Sequence, residues 1–369
     1  MNRLSLFIPG LLGPMPELEE SGETLSSCLT LEEWLARGDL IQTGRENYPA
    51  ELAHLLGLDP AISSAQLCAL ADGLYQPGEH ILRADPVHFQ ADLDNARLFG
   101  GERMKIGEDE AQALVDAFNQ HFADDDLQLC YRHPTRWYLK SSRPLAVNTV
   151  AIHDALSRNV QAFLPGGDDE LFWRKILNEA QMLFFSHPVN EQRTARGEPA
   201  INSLWLWGEG RDIDAARDAA TPSTVDMVLS EEPTARGMAL LLGMDCARHY
   251  DWNQPPAREC DHALMVVDDA YLPMAAGDLP VWSFALHSMC SRWIGVLNAA
   301  FSDKRFQQID LYSGDGRCYS ITPRRLKNFW RRRRPPAHPH HTHAYTTHSS
   351  PPTRRRPDIQ RPRATPGRP

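Results

Sequence analysis

The stretch Leu4-Ser5-Leu6-Phe7-Ile8-Pro9-Gly10 decides the fold class of this sequence. A short, mostly apolar run that ends at a Pro-Gly turn signal is typical of a strand buried on both faces of a parallel sheet. Three further runs of this kind end at turn or acidic residues, at 203–207, 225–229 and 263–267. Helical patterns separate these runs, so we predict an α/β protein with a mainly parallel sheet flanked by helices.

Three segments show clear helical periodicity. In residues 108–122 apolar side chains recur every three or four positions, and acidic residues fill the first turn, where they favour the helix dipole. Residues 169–185 and about 282–301 have the same spacing, and shorter helices are expected at 31–37 and within 60–80. Near the carboxyl terminus, residues 308–312 and 318–322 flank a Gly-containing turn and predict a β-hairpin.

The charge of the chain is divided unevenly. The 369 residues carry a formal net charge of −10, but residues 323–369 hold 13 Lys and Arg against one acid, which leaves the remainder near −22. After Trp330 apolar residues become rare, while Pro, His and Arg dominate. We predict a single α/β body over residues 1–334, with a candidate subdomain around 60–165, and a disordered basic tail over 335–369.

Targeting and redox signals are weak. The apolar run at the amino terminus has five residues, too few for a signal peptide or a membrane span. Seven cysteines, an odd number, are widely spaced and contain no Cys-x-x-Cys pair. The sequence also lacks a P-loop and a Gly-x-Ser-x-Gly elbow. We therefore expect a cytoplasmic protein with no membrane attachment.

Polar side chains of the kind that bind ligands concentrate between residues 178 and 202. They are Asn178, Gln181, His187, Asn190, Arg193 and Asn202. In one interpretation the four amides among them bond to each other and to backbone carbonyls, because buried amides need partners. In the other they line a pocket at the carboxyl end of the strand 203–207, where ligands of open α/β sheets bind. A small anionic ligand or a protein partner would fit such a pocket.

Asp85-Pro86-Val87-His88 forms a second polar cluster, which we add to the candidate pocket. Asp85 and His88 are spaced so that they reach one metal ion or share an orienting hydrogen bond. A third and a fourth ligand are not evident, so we assign no cofactor. A divalent metal, with Asp85 and His88 as weak candidates, is the alternative. Asp268-Asp269, at a strand end, either binds a cation or serves as a loop cap.

The tail leaves three alternatives open. The arginine runs 331–334 and 354–356 can neutralise phosphates of nucleic acid or anionic lipid. The tail can also associate with the acidic body of its own chain. In the third alternative, residues 335–369 are not a selected sequence at all. Because the body is strongly acidic, we expect nucleic acid to bind through the tail, if at all.

Several motifs together resemble the bacterial RpfE-type regulatory proteins. They are Ala84–His88, Asn178–Met182, His187–Asn190 with Arg193 and Gly197, and Ile201–Gly208. The resemblance extends from about Leu4 to Arg332, and the sequence departs from the family after Arg334. It implies a cytoplasmic bacterial protein with a regulatory label and an undefined biochemical activity.

That family is in turn distantly similar to the cofactor-independent phosphoglycerate mutases of the alkaline-phosphatase superfamily. The likeness implies a metal-binding Asp after the first strand, where this sequence has Pro9. The nucleophilic Ser or Thr and the later Asp-His ligands are not recognisable in order. We therefore favour a ligand- or partner-binding protein without catalysis. The alternative is a metal-dependent phosphoglycerate mutase-like phosphomutase or phosphohydrolase.

Overall fold

The architecture below is that of a computed structural model of the chain, which describes residues 2–13, 29–44, 47–92, 95–248 and 260–331. The tail predicted to be disordered, residues 335–369, lies outside the described residues. The two β-sheets that the described residues form belong to one compact unit. Across the described residues, no helix combines the length and the apolarity that crossing a bilayer requires.

The strands are numbered along the described part of the chain. They are β1 Arg3–Phe7, β2 Asp39–Gln42, β3 His80–Asp92, β4 Asn95–Gly100, β5 Leu127–His133, β6 Arg136–Ser141, β7 Ser203–Trp207, β8 Met227–Leu229, β9 Asp245–Ala247, β10 His262–Val266, β11 Gln308–Tyr312 and β12 Arg317–Ile321.

The helices are numbered in the same way. They are α1 Leu29–Arg37, α2 Tyr48–Leu55, α3 Ser64–Ala71, α4 Glu108–His121, α5 Ile152–Ala155, α6 Glu170–Phe185, α7 Pro188–Ala195, α8 Ile213–Asp218, α9 Pro233–Leu241, α10 Tyr271–Ala275, α11 Leu279–Met289, α12 Gly295–Ser302 and α13 Pro323–Leu326. A π-helical turn, Cys290–Ile294, joins α11 to α12.

The larger sheet confirms the predicted fold class. Its strand order is β2-β12-β11-β1-β10-β8-β9. Strands β11, β1, β10, β8 and β9 run parallel to one another, whereas β12 runs antiparallel to both of its neighbours, β11 and β2. The core positions of β1 and β10 are fully buried, as their continuous apolar runs require. The predicted hairpin is β11 and β12, and the predicted helices are present.

One predicted strand belongs to a different sheet. The run Ser203–Trp207 was expected in the parallel sheet, and this prediction is wrong because β7 pairs antiparallel with β3. That second sheet contains β4, β3, β6 and β5 as well. Leu204 and Leu206 pack in the core that contains Trp173 of α6, while Trp205 and Trp207 pack in another. A strand covered on both faces looks the same in sequence whichever sheet it joins.

Helix α3 connects the two sheets. It packs against β3 of the second sheet through Ala65 and Ala69, and Leu67 lies in the core beneath the larger sheet. A Cβ atom on Gly237 of α9 would lie 2.1 Å from the carbonyl oxygen of Leu67. The backbones of α3 and α9 are therefore in direct contact, which fixes the second sheet beside the carboxyl end of β8.

Candidate functional site

Four carboxylates gather at one edge of the larger sheet. Strand β8 is followed by Glu231 and Glu232, and β10 by Asp268 and Asp269. The two strands are parallel neighbours, so the segments that follow them leave the sheet at the same edge. Ligands of open α/β sheets bind beyond the carboxyl ends of the strands. We call these four residues the acidic edge.

Arg248 Nε lies 3.6 Å from Glu231 Oε1, whereas the charged neighbours that act on Asp268 are other carboxylates. Burial and the neighbouring charges of Glu232 and Asp269 raise the pKa of Asp268 to about 7. A carboxyl group ordinarily titrates near pH 4. Near neutral pH, Asp268 is therefore shared between its protonated and ionised forms, and a cation that neutralised the edge would bind favourably.

Glu232 is held in place from two sides. Its carboxylate caps α9 by accepting hydrogen bonds from the backbone N–H groups of Thr234 at 2.9 Å and Ala235 at 2.7 Å. It also accepts a hydrogen bond from the hydroxyl group of Tyr48 at 2.9 Å. Burial and the charge of Glu232 raise the pKa of Tyr48 well above its ordinary value. Tyr48 therefore remains a donor at physiological pH.

A row of rings leads from Glu232 to a buried histidine. The ring centroids of Tyr48 and Tyr271 are 5.2 Å apart, and those of Tyr271 and His153 are 4.8 Å apart. His153 comes from α5, in the segment between the two strands β6 and β7. Its side chain is buried, and its Nε2 atom has no hydrogen-bond partner among the described residues. Burial lowers the pKa of His153, so a neutral imidazole lies beside the acidic edge.

Asp85, a predicted site residue, is used in a buried ion pair. The guanidinium Nη2 of Arg83 is 2.7 Å from Asp85 Oδ1, and Trp207 Nε1 donates to Asp85 Oδ2 at 2.8 Å. Burial alone disfavours the charge on Arg83, but the adjacent Asp85 raises the pKa of that guanidinium above its usual range. The stretch around Asp85 belongs to the extended strand β3. Asp85 thereby joins β3 to β7.

His88 lies on the other face of β3 from Asp85, because side chains three positions apart in a strand point in opposite directions. Its Nδ1 atom is 2.8 Å from the carbonyl oxygen of Ala200. Nearby, the amide of Asn202 bonds to both backbone groups of Phe89, at 2.8 and 3.0 Å. Among the residues that the structure describes, no three His, Cys, Asp or Glu side chains are grouped as metal ligands.

Asn190, Arg193 and His187 organise the region around α7. The amide of Asn190 accepts from Ile201 N at 2.7 Å and donates to Ile201 O at 2.8 Å. Arg193 is fully buried, and its Nη1 atom is 2.6 Å from a carboxylate oxygen of Glu110. His187 caps the amino terminus of α7 through its ring nitrogen. These contacts hold α7 against α4 and against the segment that leads into β7.

Asn178 and Gln181 occupy a different place. Both are exposed on the outer face of α6, as is Phe185. The structure thus places the eight predicted residues in separate locations: on or beside β3, around α7 and on the exposed face of α6. The sequence signal for the acidic edge is the pair of doublets Glu231-Glu232 and Asp268-Asp269, each of which begins within two residues of the end of a predicted strand. Tyr48 and His153 carried no sequence signal.

Comparison with known proteins identifies distant relatives. No protein-family model matches the chain. A 2,3-bisphosphoglycerate-independent phosphoglycerate mutase from Methanosarcina barkeri is 24% identical over 201 residues, covering 52% of this chain and 48% of the relative. The corresponding enzyme of Methanosarcina acetivorans is 28% identical over 228 residues, covering 57% and 55%. The matched region therefore spans about half the length of these curated relatives.

Two solved structures are similar over most of the chain. A cofactor-independent phosphoglycerate mutase from Thermoplasma acidophilum covers 87% of this chain and 90% of its own, at 17% identity and a TM-score of 0.41. A protein of Pyrococcus horikoshii covers 87% of both chains, at 15% identity and a TM-score of 0.49. The chain is thus similar in sequence to phosphoglycerate mutases, whereas membership of the RpfE-type family stays a prediction.

Proposed function

We propose that this chain is a phosphoglycerate mutase-like enzyme, a phosphomutase or phosphohydrolase that acts on a small phosphorylated acid. The observation that carries the proposal is the acidic edge, which lies where the ligands of parallel α/β sheets bind. The distant sequence similarity to phosphoglycerate mutases supports the same reaction class. The sequence alone favoured a ligand- or partner-binding protein without catalysis, and we now prefer the enzyme.

A phosphorylated acid is an anion, and the carboxylates of the acidic edge would repel it. Binding therefore requires a positive charge between the substrate and these carboxylates. The donor chemistry fits a hard divalent cation such as Mg²⁺ or Mn²⁺, because every side chain of the acidic edge offers carboxylate oxygens. Asp268, Asp269 and Glu231 are the residues that would hold it. When bound, such an ion neutralises the carboxylates and polarises a phosphoryl oxygen. We make this assignment on charge and donor type, since the described residues include no preformed group of three ligands.

The remaining residues of the site position and exchange protons. Tyr48 fixes the Glu232 carboxylate, so that this side chain keeps one orientation at the edge. His153 offers a neutral imidazole whose Nε2 atom makes no hydrogen bond with the described residues and lies 3.8 Å from Asp154 Oδ2. A neutral imidazole accepts a proton from a substrate hydroxyl group or hydrogen-bonds to it. We assign His153 this proton-handling role.

A second candidate function is ligand or partner binding without turnover, in a regulatory and cytoplasmic setting. The turn after β1 favours it. A Cβ atom on Gly10 would lie 2.9 Å from the carbonyl oxygen of Ala270, so this turn packs directly beside the acidic edge. The residue there is Pro9, whose ring carries no metal-ligating group. An edge that lost one carboxylate in this way can bind a ligand and still lack catalytic power.

The full-length protein separates the two candidates. We expect it to interconvert 3-phosphoglycerate and 2-phosphoglycerate, or to hydrolyse p-nitrophenyl phosphate, only when Mg²⁺ or Mn²⁺ is added. Asp268→Asn should reduce the rate by roughly 10²-fold, since it removes a charge at the reacting centre. Asp261→Asn is the matched control, because Asp261 immediately precedes β10 at the opposite end of the strand. It should leave the rate unchanged.

Turnover that persists in Asp268→Asn would contradict the placement of the site. Absence of turnover with either cation, together with Mn²⁺ binding that Asp268→Asn abolishes, would instead favour the second candidate. Elemental analysis of the purified protein provides the independent measure of bound metal.

A further inference from the structure

The outer face of α6 exposes large apolar side chains that nothing in the described protein covers. Leu171, Met182 and Phe185 are 83%, 73% and 80% exposed. The inner face of the same helix is already buried in the core through Trp173, Ile176, Ala180 and Phe184. A surface helix of a globular protein needs one apolar stripe. Helix α6 has two, and the second faces solvent.

The exposed residues follow a regular spacing. Leu171, Asn178 and Phe185 are seven residues apart and therefore lie along one line of the 16-residue helix. The arrangement is symmetric about Asn178, with an apolar residue two turns away on either side. A surface that packs against a copy of itself across a two-fold axis must be complementary to itself in this way.

We propose that the outer face of α6 is a homodimer interface, in which two copies of the helix pack antiparallel about a two-fold axis at Asn178. In this register, Leu171 of each copy meets Phe185 of the other, and the two Asn178 side chains face each other. Facing amides hydrogen-bond to each other and fix a single register, as a polar residue within an apolar helix seam does. The inference is independent of the proposed function.

The charges on α6 favour a second copy as the occupant. Arg174 pairs with Glu170 at 2.8 Å and Lys175 with Glu179 at 3.6 Å within the helix, so the face carries little net charge. In the antiparallel register, Arg174 lies opposite Met182 and Lys175 opposite Gln181. Like charges therefore do not meet across the two-fold axis. Repulsion between like charges is what commonly prevents two identical surfaces from associating.

The available area is of the right size for a weak dimer. The three exposed apolar side chains, with the flanking amides and the stems of Arg174 and Lys175, offer roughly 500 Å² per copy, or about 1,000 Å² in total. That total is the lower limit of specific interfaces. We therefore expect a dimer that forms at micromolar concentrations.

Sedimentation equilibrium of the full chain tests the inference. The unsubstituted protein should be dimeric at about 100 μM, and Phe185→Glu should weaken the dimer by at least about tenfold by placing a charge in the seam. Phe284→Glu is the matched control, because Phe284 is a phenylalanine of α11 that is 73% exposed. It should leave the dimer intact. A monomer at 100 μM, or equal weakening by both variants, would overturn the proposal.

The antiparallel register has its own test. Leu171→Lys and Phe185→Glu should each weaken the dimer, whereas the protein with both substitutions should recover association, because Lys and Glu then meet across the axis. In addition, Asn178→Cys should form an intersubunit disulfide under mild oxidation, since the two sulfur atoms lie beside the two-fold axis. The unsubstituted protein and Asp218→Cys, at an exposed position of α8, should not. No recovery and no cross-link, with the circular dichroism unchanged, would exclude this register.

Discussion

The hydroxyl group of Tyr48 donates a 2.9 Å hydrogen bond to the carboxylate of Glu232, which lies 184 residues later in the chain. This bond joins α2 to the amino terminus of α9 at the carboxyl edge of the larger sheet. The Tyr48 ring packs at the same time against Phe7, with 5.4 Å between ring centroids. One side chain thus connects the first strand, the helix α2 and the acidic edge.

Tyr48→Phe should destabilise the protein while leaving its ring packing in place. The substitution removes a hydrogen bond to an ionised acceptor, which contributes about 1.5–3 kcal/mol. Urea unfolding followed by circular dichroism measures the loss. Tyr131→Phe, on a partly exposed position of β5, is the control and should cost less. An equal loss in both variants would show that the contact with Glu232 contributes little.

Asp268→Asn should change how stability depends on pH in metal-free protein. Burial and the neighbouring carboxylates raise the folded-state pKa of Asp268 to about 7, above the unfolded value near 4. The folded state then binds the Asp268 proton more tightly than the unfolded state does. The free energy of unfolding of the protein therefore falls as the pH rises from 4 to 7 and this proton is lost. The variant should lack this decrease and be more stable at pH 8 by up to about 4 kcal/mol.

Thermal unfolding of both proteins in the presence of a chelator, from pH 4 to pH 8, measures this difference. The two curves should converge at the acidic end, where Asp268 is protonated in the folded and in the unfolded chain. Parallel curves across the whole range would mean that the acidic edge does not hold Asp268 in its protonated form near neutral pH.

Asp85→Ala should be strongly destabilising, because it leaves the buried Arg83 without its counter-charge. Breaking a buried ion pair from one side costs about 3–5 kcal/mol. The protein with both Arg83→Met and Asp85→Leu should lose less than Asp85→Ala alone, since no charge is then left unpaired. Urea unfolding of Arg83→Met, Asp85→Leu and the protein with both substitutions forms a double-mutant cycle that measures the coupling. Additive losses would show that the two side chains act independently.

Two helical glycines should respond to alanine in opposite directions. Gly237→Ala forces a Cβ atom against the backbone of α3 at Leu67, and overpacking of this kind costs about 3 kcal/mol. Gly295 of α12 has no atom within 4 Å of the added Cβ. Gly295→Ala should stabilise the protein by about 0.5–1 kcal/mol through helix propensity. Thermal unfolding compares them, and a stable Gly237→Ala protein would argue against the close crossing of α3 and α9.

Much of the fold was predictable from local patterns. The periodicity of residues 108–122 and 169–185 predicts α4 and α6, because each helix buries one face and the 3.6-residue repeat is then visible in the sequence. The apolar runs predict the strands β1, β8 and β10 for a similar reason. The run at 203–207 predicts a strand but not its partner, since hydrophobic periodicity records burial and carries no information about which strand lies alongside.

Less of the candidate site was predictable. The sequence predicts that Asn190 and Asn202 need hydrogen-bond partners, and the structure supplies backbone partners for both. Asn178 and Gln181 look similar in sequence but face solvent. Only packing distinguishes these two pairs, because the side of a helix that becomes buried depends on which sheet it covers.

The sequence by itself determined the α/β class, the order of the main helices and strands, and the position of the acidic doublets after β8 and β10. Each of these follows from local periodicity or from the residues adjacent to a strand. Only the tertiary structure decided that Tyr48 and His153 lie beside those doublets, that β7 joins β3 in a second sheet, and that α6 presents an uncovered apolar face. The physical reason is that burial, hydrogen bonding and electrostatic coupling act between residues far apart in the chain, and their energies depend on distances that chain folding alone creates.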